Sequence, residues 1–172
     1  MTIVICDSSI LILISKVEIL DLLIEIFGEI LIPQAVYIES VEQGKKFKKM
    51  DAFLIEKRID EGKIVVKEIK DFSEKHKLIE DFNIHEGEAE SILLYSEVNA
   101  NLLGTDDYQT IKICKILKIN YFTTPLFIFR CFANKLLSKG KSLQKYDNLS
   151  KLGWYKEDLI LYYKNKILNS EV

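Results

Sequence analysis

Apolar residues in this chain fall into short solid runs, separated by longer stretches in which they recur every three or four positions. The first run, residues 2–6, is β-branched and apolar to its end, too brief for a helix and suited to a strand buried on both faces. It stops at Asp7-Ser8-Ser9, which sets Asp7 at a strand end and offers Ser8 or Ser9 as the cap of a following helix. That helix is expected to continue past Lys16, with Glu18, Asp21 and Glu25 as a narrow polar stripe, until Gly28 stops it. A brief strand over 29–32 follows, and Pro33 opens a helix over 34–42.

The pattern then predicts a basic connector at 44–49, an amphipathic helix from about 50 to 59, a turn at Glu61-Gly62 and a strand over 64–66. Residues 67–81 are charged and only weakly periodic. Asn83-Ile84-His85-Glu86 has capping-box spacing, so the next helix is expected from about 84 to 98. A strand at 101–105, a helix from beyond Asp106-Asp107 to Leu117, a strand near 121–123 and a helix opened by Pro125 and ending near 138 complete an alternating series. From Lys141 onward the pattern is helical only, interrupted at Gly153-Trp154, with Leu159, Tyr162, Tyr163 and Ile167 on one face.

Strands separated by helices imply parallel crossovers: an α/β fold with a doubly wound, mainly parallel sheet and helices on both faces. The length of 172 residues suits a single domain, 1–172, with a helical C-terminal extension over about 141–172. Charge narrows the function classes: 24 Lys and Arg against 26 Asp and Glu exclude global basicity, so nucleic-acid binding has to rely on local patches. The lysines at 45, 46, 48 and 49 (Lys45, Lys46, Lys48, Lys49) form the clearest such patch, and a solvated connector is the alternative reading. Three cysteines without a Cys-x-x-Cys pair indicate neither a disulfide framework nor a zinc site. The apolar stretch 19–32 is interrupted by Asp21, Glu25 and Glu29, which rules it out as a membrane span, and the expected location is cytoplasmic.

In open parallel sheets the site lies beyond the carboxyl ends of the strands. Asp7 and Asp106 follow two strands, while Glu39 and Glu88 come from helices placed to flank the same crevice. Carboxylates gathered there repel by roughly 4 kcal/mol per pair at about 4 Å and an effective dielectric near 20. Either their pKa values rise or a hard cation binds, and oxygen-only ligands favour Mg2+ or Mn2+. Hydrolysis of a phosphoester is the matching reaction. Glu88 and Glu90 lie about 200° apart around a helix, so they cannot both face one ion.

The ordered set Ile3-Val-Ile-Cys-Asp-Ser-Ser9, Ile32-Pro-Gln-Ala-Val-Tyr-Ile-Glu39, Gly87-Glu-Ala-Glu90 and Gly104-Thr-Asp-Asp-Tyr108 resembles the PIN-domain ribonucleases, which include VapC-type toxins and a branch acting in ribosomal RNA maturation. The Gly-Glu-x-Glu opening is similar to a VapC-like subgroup. The resemblance implies an endoribonuclease that cuts single-stranded RNA with Mg2+ or Mn2+. It implies Asp7, Glu39, Glu88 and Asp106 as catalytic metal ligands, with Glu90 and Asp107 as alternates, and hydroxyls of Ser9 or Thr105 orienting a ligand or water. An antitoxin partner and a homodimer using the apolar tail helix are further expectations from the family.

Blander readings stand beside these. Asp7 can be a helix cap, Glu39 an exposed helix carboxylate, Glu86 a cap and His85 a surface histidine. The family often carries Arg or Lys just after the last acids, whereas here Tyr108 and Gln109 follow Asp107 and Lys112 and Lys115 come further along, a departure from that pattern. A silent PIN-like RNA- or protein-binding module is the alternative function. A dehalogenase-like phosphotransfer domain needs Asp-x-Asp after the first strand, and Asp7-Ser8-Ser9 lacks the second acid.

Overall fold

The computed structural model describes residues 2–170; residues 1, 171 and 172, the ends of the expected domain, lie outside the described residues. The first apolar run forms β1 (Val4–Cys6), and Asp7 caps α1 (Ser8–Lys16) by accepting the Ile10 N–H at 3.1 Å. The cap role expected of Ser8 or Ser9 therefore belongs to Asp7. One helix was expected to run from here to Gly28. Instead Glu18 takes a positive φ of 59°, ending the helical ladder, and a separate α2 (Leu20–Phe27) follows. The leucine-rich pattern does not register this break, because both helices bury the same kind of face.

After β2 (Ile30–Pro33) comes α3 (Gln34–Tyr37), then a π-helical stretch over Ile38–Gln43, then α4 (Gly44–Lys46). Helical winding thus runs into the segment expected as a basic connector. Helix α5 (Met50–Asp60) and strand β3 (Ile64–Lys67) match the pattern. The weakly periodic block contains α6 (Phe72–Phe82), capped where the Asp71 carboxylate accepts the Glu74 N–H at 2.9 Å. It buries Leu78 beside a lysine, Lys75, so its inner face is not purely apolar and hides from periodicity. Helix α7 (Glu86–Glu97), β4 (Leu102–Gly104), α8 (Tyr108–Leu117) and β5 (Tyr121–Phe122) follow.

The five strands form one parallel sheet in the order β3-β2-β1-β4-β5. Val4 pairs with Ile30 on one side and Leu102 on the other, and Cys6 with Gly104. Ile5, Leu31 and Leu103 pack with Ala89 and Ile92 of α7, Ile113 and Cys114 of α8, and Leu78 of α6. Val4, Cys6, Ile30 and Ile32 point to the opposite face by strand alternation and are fully buried as well. Both faces are therefore covered, as a parallel sheet requires. The connections run β1 to β2 to β3 in one direction and β4 to β5 in the other. The reversal falls between β1 and β4, which places the crevice at the carboxyl ends of those two strands.

The described residues divide into two compact units, one ending at Phe122 and the other beginning at Thr123. The second contains α9 (Thr124–Ala133), α10 (Lys139–Lys151) and α11 (Glu157–Leu168), so the helical extension expected from about 141 belongs to a unit that starts earlier. Within it the buried Tyr146 donates its hydroxyl to the Pro125 carbonyl at 2.6 Å and stacks on Tyr163 with ring centroids 5.7 Å apart. Trp154 is exposed. Among the described residues no helix is long and apolar enough to cross a membrane.

Candidate functional site

Asp7 stands at the reversal point, where parallel pairing carries its backbone N–H onto the Gly104 carbonyl at 3.0 Å. Its side chain is 1% exposed. One carboxylate oxygen, Oδ1, accepts from the Ser9 hydroxyl at 2.6 Å and from the Ile10 amide. The other, Oδ2, is buried without a hydrogen-bond partner. Burial pushes the Asp7 carboxyl up to about 7, against the hydrogen bonds of Ser9 and Ile10 and the influence of the neighbouring Thr105 hydroxyl, and repulsion from Asp106 adds to the rise. Thr105 lies near Asp7 without meeting hydrogen-bond geometry at Oδ2.

Asp106 follows β4 and is also buried. The same Ser9 oxygen that donates to Asp7 accepts the Asp106 backbone N–H at 2.8 Å, so one hydroxyl ties the ends of β1 and β4 together. Thr105 Oγ1 accepts the Asp107 N–H at 3.2 Å. Asp107 itself caps α8, its Oδ1 taking the Thr110 N–H at 2.7 Å.

The glutamates arrive from the helices. Glu39 sits in the π-helical stretch, half-buried, and its Oε2 accepts the Ser8 hydroxyl. Gly87, at the start of α7, lies so close to Glu39 that a Cβ there would stand 2.8 Å from Oε2. Glu88, half-buried one residue later, turns its Oε2 back onto the His85 N–H. This makes His85 to Glu88 the capping box, the role that spacing had suggested for Asn83 to Glu86. Burial raises the Glu88 pKa, the His85 amide opposes this, and Asp107 and then Glu39 raise it further by repulsion. Mutual repulsion of that kind means that Glu88 shares a neighbourhood with both acids.

Glu90 is separate. It is buried, its Oε2 accepts the Ala35 N–H at 2.9 Å, and its Oε1 pairs with Lys75 at 3.3 Å. The two glutamates of the Gly-Glu-x-Glu segment thus serve different neighbours, as their angular separation on the helix requires. The lysine patch is engaged in part: Lys45 pairs with Glu56 at 2.5 Å and lies over the Phe53 ring, while Lys46, Lys48 and Lys49 are exposed.

Two contributors had no sequence signal strong enough to single them out. Ser8, read only as a cap, holds Glu39, and Gly87, read as part of a motif, clears the space for its carboxylate. The adjacent hydroxyls after Asp7 are the one pattern that points to them.

Among the described residues no three His, Cys, Asp or Glu stand together as a ready-made cation cage. Asp7, Glu39 and Glu88 are each held by a protein donor instead. The donor set nevertheless fits a hard divalent cation: it is all oxygen, strongly acidic, and includes a buried carboxylate oxygen that no protein group satisfies. A family model described as a PIN domain matches residues 3–164, across both compact units. No curated protein matches the chain.

Proposed function

The chain belongs to the PIN-domain family, whose fold is of nuclease type, and on that premise we propose that it is a Mg2+- or Mn2+-dependent endoribonuclease acting on single-stranded RNA. The unsatisfied Asp7 Oδ2, buried between two neighbouring strand ends beside Asp106, is the observation that carries this reading. A buried polar atom left without a partner is costly, and a cation is the partner that this oxygen and its acidic surroundings suit.

In this reading Asp7, Asp106, Glu39 and Glu88 hold the ion. The chemistry that such an ion would supply there is a lowered water pKa and neutralisation of phosphodiester charge. Ser9 orients Asp7 and Asp106 together, and Ser8 holds Glu39 ready beside them. Repulsion places Glu88 near Glu39 while Glu90 is turned to Ala35 and Lys75, and repulsion places Asp106 near Asp7, which supports Glu88 and Asp106 over the two alternates. The exposed Lys46, Lys48 and Lys49 are suited to phosphates of an extended strand. A VapC-like toxin paired with an antitoxin is the cellular setting that this activity fits.

The test compares wild type with Asp7→Asn on single-stranded RNA in Mg2+, in Mn2+ and in chelator. Wild type is expected to cut only with metal, and Asp7→Asn to lose about a hundredfold or more. Equal cleavage by the two proteins would sink the assignment. No cleavage by folded, metal-loaded wild type would favour a silent binding module.

A further inference from the structure

Helix α3 begins without a cap of its own, because Pro33 at the cap position has no side-chain acceptor. The Ala35 N–H is in the first turn, where no preceding carbonyl of the helix can reach it. Glu90 of α7 supplies the missing acceptor from 55 residues away in sequence. Its second oxygen is neutralised by Lys75 of α6, which also lies 3.6 Å from Glu86 Oε1 and over the Phe72 ring. Glu90 and Lys75 are both buried, 6% and 8% exposed, so this is an internal bridge joining α3, α6 and α7 rather than a surface pair.

Its position bears on the acids. The backbone that Glu90 grips leads within four residues to Glu39, through helical winding that widens into a π-helical stretch at Ile38–Gln43. The helix that carries Glu90 also carries Glu88, and its Gly87 abuts the Glu39 carboxylate. We propose that Glu90, with Lys75 as its counter-charge, is a positioning residue that sets Glu39 in register with Glu88 by capping the α3 N-terminus. The consequence for metal binding rests on the nuclease reading above; the bridge itself does not. Removing the capping acceptor frees the start of the segment, and Glu39 loses its fixed distance from α7.

Two double variants isolate the acceptor while avoiding a buried lone charge: Lys75→Met/Glu90→Gln keeps an oxygen for the Ala35 N–H, and Lys75→Met/Glu90→Leu does not. The readouts are amide hydrogen exchange and Mn2+ affinity by calorimetry. In the Leu variant, exchange over residues 35–43 is expected to accelerate about tenfold or more relative to the Gln variant, with exchange over 108–117 unchanged. Mn2+ affinity is expected to fall about tenfold in the Leu variant and to stay near wild type in the Gln variant. Equal exchange over 35–43 in the two variants overturns the proposal, whatever happens to global stability. Equal Mn2+ affinity with unequal exchange also overturns it, since the bridge would then stiffen α3 without positioning Glu39. If wild type binds no Mn2+, the nuclease reading fails, and the exchange comparison still decides the bridge. Should the Leu variant not fold, Glu90→Asp takes its place: one methylene shorter, it is expected to accelerate Ala35 exchange, and wild-type protection there overturns the proposal.

Discussion

At the scale of single residues, Asp7 carries the most consequence. Burial holds its carboxyl near 7, far above an unfolded aspartate near 3.8. Between those values the folded protein binds a proton that the unfolded chain does not, so stability falls as pH rises through roughly 4 to 7 and levels off above. The full effect is about 4 kcal/mol. Asp7→Asn, which keeps a capping side chain but cannot ionise, is expected to lose that part of the slope and to exceed wild type in metal-free stability at pH 8. Urea denaturation in chelator at pH 5 and 8 measures this, and identical slopes for the two proteins would refute it. Gly87 offers a second case. Gly87→Ala places a methyl against the flexible end of Glu39, so stability should change by no more than about 1 kcal/mol while RNA cleavage falls at least tenfold. Wild-type cleavage by that variant would show that Glu39 need not occupy its observed place.

Among the elements, those with an apolar stripe or a solid β-branched run were legible: β1, α5, α7, β4 and α8 lie within about two residues of where the pattern puts them. Each of the other elements departs for its own physical reason. Helix α6 turns Lys75 inward, which only pays sense once Glu90 is seen opposite, and the break at Glu18 depends on a backbone angle that any residue can be forced to adopt. At the end of α8, Lys118 likewise takes a positive φ, 57°, as the helix closes onto Cys114. Lys118→Gly relieves that conformation and is expected to stabilise the protein by about 0.5–1 kcal/mol, read as a higher denaturation midpoint. A lower midpoint would mean that the lysine side chain does more there than its backbone angle costs.

On the scale of the whole molecule, strand order sets Asp7 beside Asp106 at the ends of β1 and β4. A cation that binds only the folded form should stabilise it by about 2.7 kcal/mol at a hundred times its dissociation constant. On the proposed role of Asp7 as a ligand, which requires it to give up its proton, the rise in melting temperature with Mn2+ is expected to be larger at pH 8 than at pH 6, and chelator should reverse it. A shift that is equal at both pH values, or that persists in Asp7→Asn, would place the ion elsewhere.

The sequence by itself determined the alternation of strands and helices, hence the parallel sheet, and it placed Asp7 and Asp106 at strand ends, because those are local patterns of burial and turn chemistry. It also separated Glu88 from Glu90, since helix geometry alone puts them on different sides. Only the tertiary structure decided what each acid touches. That Ser9 joins Asp7 to Asp106, that Ser8 holds Glu39, and that Glu90 caps a helix 55 residues away are contacts between distant segments. Each depends on the side-chain packing of elements whose mutual placement no local pattern encodes.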